Sequence, residues 1–177
     1  RIAGVISTEH QRLHGAGTAF FGHLESVDDP EVARGLLDAV SQWARAQGCD
    51  RLLGPMNPNI NEECGLLVSG FDRPNSVMMP HTPPHVPRLL EAEGLRKAKD
   101  LLVYDIDLAR SPIERLERFR KAAGRRASDV RLVAVTPGNL DRLLPALKRI
   151  YNEAWAFHED FDPLTPEVLD DLAGTLL

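Results

Sequence analysis

The densest run of chemically capable side chains lies between Met56 and Val86. Asn57, Asn59 and Asn61 alternate along it, Glu62 and Glu63 follow at once, and His81 and His85 stand near its end. A carboxylate or a neutral imidazole can take the proton of an attacking amine. Carboxamides donate and accept hydrogen bonds, so they can orient the same group. The pattern gives a candidate site in which Glu62, Glu63 and His81 do acid–base work and Asn57, Asn59, Asn61 and His85 bind substrate. The competing reading is structural: Asn61 caps a short helix over residues 62–68, and the two glutamates favour its dipole.

Two histidine pairs, His10/His14 and His81/His85, have the four-residue spacing of metal ligands on one helix face. Pro83 and Pro84 interrupt the second pair and forbid a helix there. No cysteine or carboxylate completes a recognised set around either pair, so no metal is expected. A hydrolase using Glu62 and Glu63 on a metal is a third reading, and it requires carboxylates and histidines to converge on one ion. Cys49 and Cys64 do not make a disulfide framework and read as plain buried thiols.

These residues need elements to hold them. Residues 1–7 read as a short strand, 8–17 as a loop or turn, and 18–25 as a second strand rich in apolar and aromatic side chains. A helix follows, with Asp28 or Asp29 as cap, Pro30 in its first position and Glu31 in its first turn. Val32, Leu36, Leu37, Val40, Trp43 and Ala44 recur at three- and four-residue steps on one face, and Gly48 ends the helix. Residues 51–55 then form a strand, which predicts a βαβ unit with parallel strands and a right-handed crossover. The candidate site leaves the carboxyl end of that strand, where ligands gather in open α/β sheets. Further on, a helix over 87–93 is closed by Gly94 and followed by a strand over 100–107. A helix opens at Ser111-Pro112 and runs to about residue 123. After a polar stretch over 124–129 come a strand over 130–135, a helix capped by Asn139, and a last helix starting at Thr165-Pro166-Glu167. Trp43 and Trp155 lie on apolar stripes and read as core.

Residues 81–106 carry Leu89-Leu90-Glu91-Ala92-Glu93-Gly94-Leu95 and then a strand. This resembles the late motif of GNAT acyltransferases, a helix ending in an apolar-aromatic-Glu-x-x-Gly-Phe pattern. The strand–helix–strand over 18–55 is similar to the GNAT core in order and length, so the resemblance covers about the first 108 residues. Residues 54–72 also resemble a group of bacterial GNAT-like proteins in which a second GNAT-type half follows. The resemblance implies an α/β fold with a GNAT-like central mixed sheet flanked by helices. It implies a core half over 1–108, a helical connector over 109–129 that would cross an interdomain groove, and the beginning of a second half over 130–177. The implied activity is acyl transfer from acyl-CoA, such as acetyl-CoA, to a small-molecule amine.

Two departures stand out. GNAT enzymes carry Gln/Arg-x-x-Gly-x-Gly/Ala between the central strand and its helix, where backbone N–H groups bind the CoA pyrophosphate. Here that junction is Glu25-Ser26-Val27-Asp28-Asp29-Pro30-Glu31-Val32, with no glycine and four acids that repel a diphosphate. Leu90 stands where many members keep a tyrosine that protonates the departing thiolate. The alternative expectation is therefore a non-catalytic GNAT-like module for ligand binding or dimerisation.

Composition bounds the rest. The 177 residues are 43% hydrophobic, enough for a packed core, and the net charge of -5 argues against non-specific nucleic-acid binding. The run over 115–126 is strongly cationic, read as a solvated helix face with anion binding as the rival. No apolar run approaches the roughly 20 residues that span a bilayer, so no membrane partner is expected. No signal peptide is visible, and a cytoplasmic location is the default expectation. Exposed strand edges make a homodimer an option for completing the sheet.

Overall fold

A computed structural model describes residues 1–57, 62–110, 112–126, 133–158, 161, 163–165 and 167–168. Its class is mixed α/β. Strands β1 (Ala3–Val5), β2 (Thr18–Gly22) and β3 (Arg51–Leu53) form one sheet in the order β1-β2-β3. β1 runs antiparallel to β2, with Ala3 opposite Gly22 and Val5 opposite Phe20. β2 and β3 are parallel, with Thr18 opposite Arg51 and Phe20 opposite Leu53. The helix between the parallel strands, α2 (Pro30–Ala46), is capped by Asp29, whose carboxylate accepts the Glu31 N–H at 2.8 Å. Pro30 enters at the first helical position, where no N–H is needed.

β2 is buried along its whole length, as expected of a central strand covered by a helix. α2 lays Ala33, Leu37, Val40 and Ala44 toward the core. Helix α3 (His85–Ala92) adds Val86, Leu89 and Leu90, so Phe21, Leu37, Val40, Val86 and Leu90 form one cluster. Phe21 and Leu89 are its largest fully buried side chains. Burial of each stabilises the fold by about 1.5–3 kcal/mol. Ala19, Ala44 and Cys49 make a smaller cluster beside it.

Several expected elements differ. Residues Thr8–His14, read as a loop, form helix α1, because the Ser7 hydroxyl accepts the His10 N–H at 3.0 Å. α1 buries no residue, so it lacked the apolar period by which helices are recognised. Residues 62–68 form no helix. Instead β5 (Glu63–Cys64) pairs antiparallel with β4 (Met56–Asn57), and the Gly65 N–H, at φ 86°, extends the ladder to the Pro55 carbonyl. Asn61, the supposed cap, lies outside the described residues. The expected strand over 100–107 is not formed: Leu101, Leu102, Val103, Tyr104 and Ile106 are all more than half exposed. Trp43 is 37% exposed and lies over Gly4, where a Cβ would sit 2.5 Å from the indole ring. Trp155 is exposed as well, against Tyr151 and His158 rather than in a core.

Beyond the sheet, α4 (Ile113–Arg126) is followed by a 3₁₀ turn at Pro137–Asn139 and by α5 (Leu140–Trp155). Residues 133–135 are not in a strand, and 130–132 lie outside the described residues. Of the last expected helix, Glu167 and Val168 are helical.

Candidate functional site

The site is built around the carboxyl end of β2. Gly22 is its last residue, and a Cβ there would collide with the Met56 carbonyl. A Cβ at Gly54 would run into the Phe21 carbonyl. Residues 54–57 therefore lie directly against the end of β2, an approach that glycine permits and other residues forbid. The next residue, His23, takes a left-handed conformation at φ 46°. Its N–H is held by the Asn57 side-chain oxygen at 2.6 Å. Asn57 thus secures a strained turn where the central strand stops pairing.

The loop from His23 to Asp29 is tied down at three more points. Glu25 pairs with the Arg1 guanidinium at 2.7 Å, and the Glu25 N–H reaches the Arg1 carbonyl at 2.9 Å. His85 Nε2 lies 3.0 Å from the Ser26 carbonyl. A carbonyl can only accept, so this nitrogen carries its proton. Arg88 pairs with Asp28 at 2.5 Å. One turn into α2, Arg34 forks onto Glu93 at 3.1 and 3.2 Å, and that carboxylate raises the guanidinium pKa further. Both ends of α3 are therefore fastened to α2 and its approach loop.

This geometry tests the fit of a CoA diphosphate at the α2 N-terminus. The Glu31 N–H is taken by Asp29, and the segment leading into α2 carries Glu25 and Asp28, each paired with an arginine, and then Glu31. The residues do not fit a diphosphate at that point. Leu90 is 5% exposed within the core cluster, so this position packs against Phe21 and Leu37 and offers no proton to a cleft.

The candidate residues are brought together only in part. Asn57 and Glu63 are cross-strand partners in the β4–β5 ladder. Glu62, Glu63 and His81 are exposed, and their side chains hold no hydrogen bond among the described residues. Asn59 and Asn61 lie outside the described residues. The chain that carries His81 is anchored by its neighbour, because the Thr82 hydroxyl accepts the Leu67 N–H at 3.1 Å. Cys64 follows Glu63, but burial pushes its thiol pKa up against a weaker opposing pull from Lys99, so it is no ready thiolate.

The other histidine pair sits on α1. The His10 and His14 rings are 4.5 Å apart, His10 sets its edge against Phe20, and His14 Nε2 is 3.4 Å from the Phe161 carbonyl. Among the described residues no group of three or more His, Cys, Asp or Glu side chains could hold a metal ion. No helix of the described residues is long and apolar enough to cross a membrane. A shallow hollow of about 450 Å³ opens on α5, lined by Pro145, Lys148, Arg149, Asn152, Glu153 and Ala156, away from these residues in the sequence.

No family model matches the chain. Two curated proteins resemble it. The chain is 36% identical over 181 residues to the bacterial ceramide synthase of Caulobacter vibrioides, covering 99% of this chain and 47% of that protein. It is 33% identical over 168 residues to Protein YghO of Escherichia coli K12, covering 93% of this chain and 42% of that protein. The chain spans less than half the length of each. No solved structure matches it.

Sequence reasoning passed over Gly22, His23, Ser26 and Gly54. The signal was present, since glycine directly after an apolar strand and the Gly54-Pro55 pair both mark a close backbone approach or a turn.

Proposed function

We propose that this chain is part of an N-acyltransferase with a GNAT-like scaffold, which joins an acyl group to the amino group of a lipid-like amine. The observation that carries this reading is the 36% identity to a bacterial ceramide synthase over 99% of the chain. A ceramide is the amide of a fatty acid and a long-chain amino alcohol, so making one by acylation means attack of a neutral amine on an activated acyl carbonyl. The carbon–nitrogen bond forms, the bond to the leaving group breaks, and the amine proton must pass to a base. Glu62, Glu63 and His81 are exposed groups of the required kind that hold no side-chain hydrogen bond among the described residues. Asn57, with Asn59, Asn61 and His85, orients the acceptor, and Asn57 also fixes the turn at His23.

In this reading residues 1–108 are a core half, 109–129 a connector and 130–177 the beginning of a second half. Acyl-CoA is the donor, and its diphosphate is bound elsewhere than at the α2 N-terminus. Two observations favour the second reading, a non-catalytic module: Asp29 occupies the amide that an anion would use, and Leu90 is core.

The test is incubation with acetyl- or palmitoyl-CoA and a long-chain amino alcohol, following free thiol and the amide by mass spectrometry. Amide with matching thiol release is the expected result. Donor binding is read separately by thermal stability, where a hundredfold excess over Kd stabilises by about 2.7 kcal/mol. A folded chain that gives neither a stability shift nor product does not hold the donor, which favours the non-catalytic reading of this half.

A further inference from the structure

Helix α4 shows no packed face among its described side chains. Every residue from 113 to 124 is exposed, including Ile113 at 56%, Leu116 at 58% and Phe119 at 73%. At 100° per residue, Leu116, Phe119 and Ala123 fall within one narrow stripe, and Ile113 lies outside it. Arg115 borders the stripe on one side and Arg120 on the other, while Arg118 and Lys121 occupy the opposite face. Six basic residues against two acidic ones lie in this helix of a chain whose net charge is -5. Among the described residues none of Arg115, Arg118, Arg120 and Lys121 is held in an ion pair.

We infer that α4 is an interfacial helix that docks on an anionic lipid surface. The apolar stripe is too narrow and too strongly charged at its borders for a buried core helix. It matches a helix lying in the headgroup plane, where apolar side chains enter the acyl boundary and flanking arginines reach back to lipid phosphates. The sequence expectation of no membrane partner rested on the lack of a spanning segment, and an interfacial helix needs none. A nucleic acid would use the basic face and leave Leu116 and Phe119 in water. The exposed run over 101–108 is unsuited to the same role, because an extended segment brings unpaired backbone groups that lipid cannot satisfy. The inference stands on α4 alone. It also fits a lipid-like acceptor, which would have to be collected from a bilayer.

The experiment is co-sedimentation of the whole chain with phosphatidylcholine vesicles, with and without phosphatidylglycerol. Binding only to the anionic vesicles is expected, and it should be lost at high salt. Arg115→Ala with Arg120→Ala should weaken it roughly 25-fold, at about fivefold per cation near an anionic surface. Phe119→Asp should abolish it, with an unchanged circular dichroism spectrum showing that the fold is intact. Failure to bind anionic vesicles overturns the inference, as does binding that Phe119→Asp leaves unchanged. A dimer that Phe119→Asp dissociates, or RNA binding without vesicle binding, also overturns it. None of these readouts depends on acyl transfer, so a chain that docks but does not acylate separates the two proposals.

Discussion

Helices α2 and α5 are nearly equal in length, 17 and 16 residues, and both carry a regular apolar stripe. α2 buries four residues against the sheet, while α5 buries none. The difference lies in what each stripe meets. α2 is the crossover of a parallel strand pair, so the chain direction itself delivers its face onto β2. What α5 holds are local tethers: Asn152 accepts the Leu164 N–H at 2.9 Å and donates to its carbonyl at 3.2 Å, and Tyr151 lies beside Phe161. An amphipathic period states which face of a helix favours a partner; the neighbouring elements decide whether one is there.

The contrast is sharpened most by truncating one large side chain in each region. Leu37→Ala on α2 should cost about 2–5 kcal/mol in a denaturant titration, because it empties a buried position of the packed cluster. Leu147→Ala, 41% exposed on α5, should change the midpoint by less than about 1 kcal/mol. Equal effects would mean that α5 is packed as tightly as α2.

A smaller effect is expected at the end of β2. Gly22→Ala must push the chain off Met56 and should cost about 1–3 kcal/mol. Asn57→Ala frees the His23 N–H and should cost about 1 kcal/mol. On the proposed function Asn57→Ala also removes acyl transfer while the fold persists. A variant with full activity would exclude Asn57 from the site.

Asp29→Ala should destabilise by about 1 kcal/mol through loss of the α2 cap. If the α2 terminus is closed to diphosphate only by its own acid, the same substitution should strengthen CoA binding. Calorimetry with CoA reads this directly, and unchanged affinity would place the donor elsewhere.

The smallest effect concerns Cys64. Its pKa is raised by burial, so the unfolded thiol ionises first as pH climbs. The contribution is fully present below the unfolded thiol pKa and is lost as pH rises through the folded one. Iodoacetamide, with the modified peptide mapped by mass, should label Cys64 more slowly in the native chain than in urea at the same mildly alkaline pH. Equal rates would show the thiol to be open.

The sequence alone determined the local parts of this protein: a cap at Asp28 or Asp29, Pro30 at the start of α2, the buried positions Leu37, Val40 and Ala44 of its stripe, and the parallel pairing that a strand–helix–strand imposes. These follow from short-range periodicity and from caps that act within a few residues. It also located the polar excursion after β3. Tertiary structure alone decided that residues 63–64 pair with 56–57 as strands, because that choice depends on a ladder partner and on Gly65 rather than on helix signals. It alone turned Asn57 onto His23 and His85 onto Ser26, contacts that join residues 34 and 59 positions apart. It left 101–106 exposed although its pattern is that of a strand, since a strand exists only where another edge completes its hydrogen bonds.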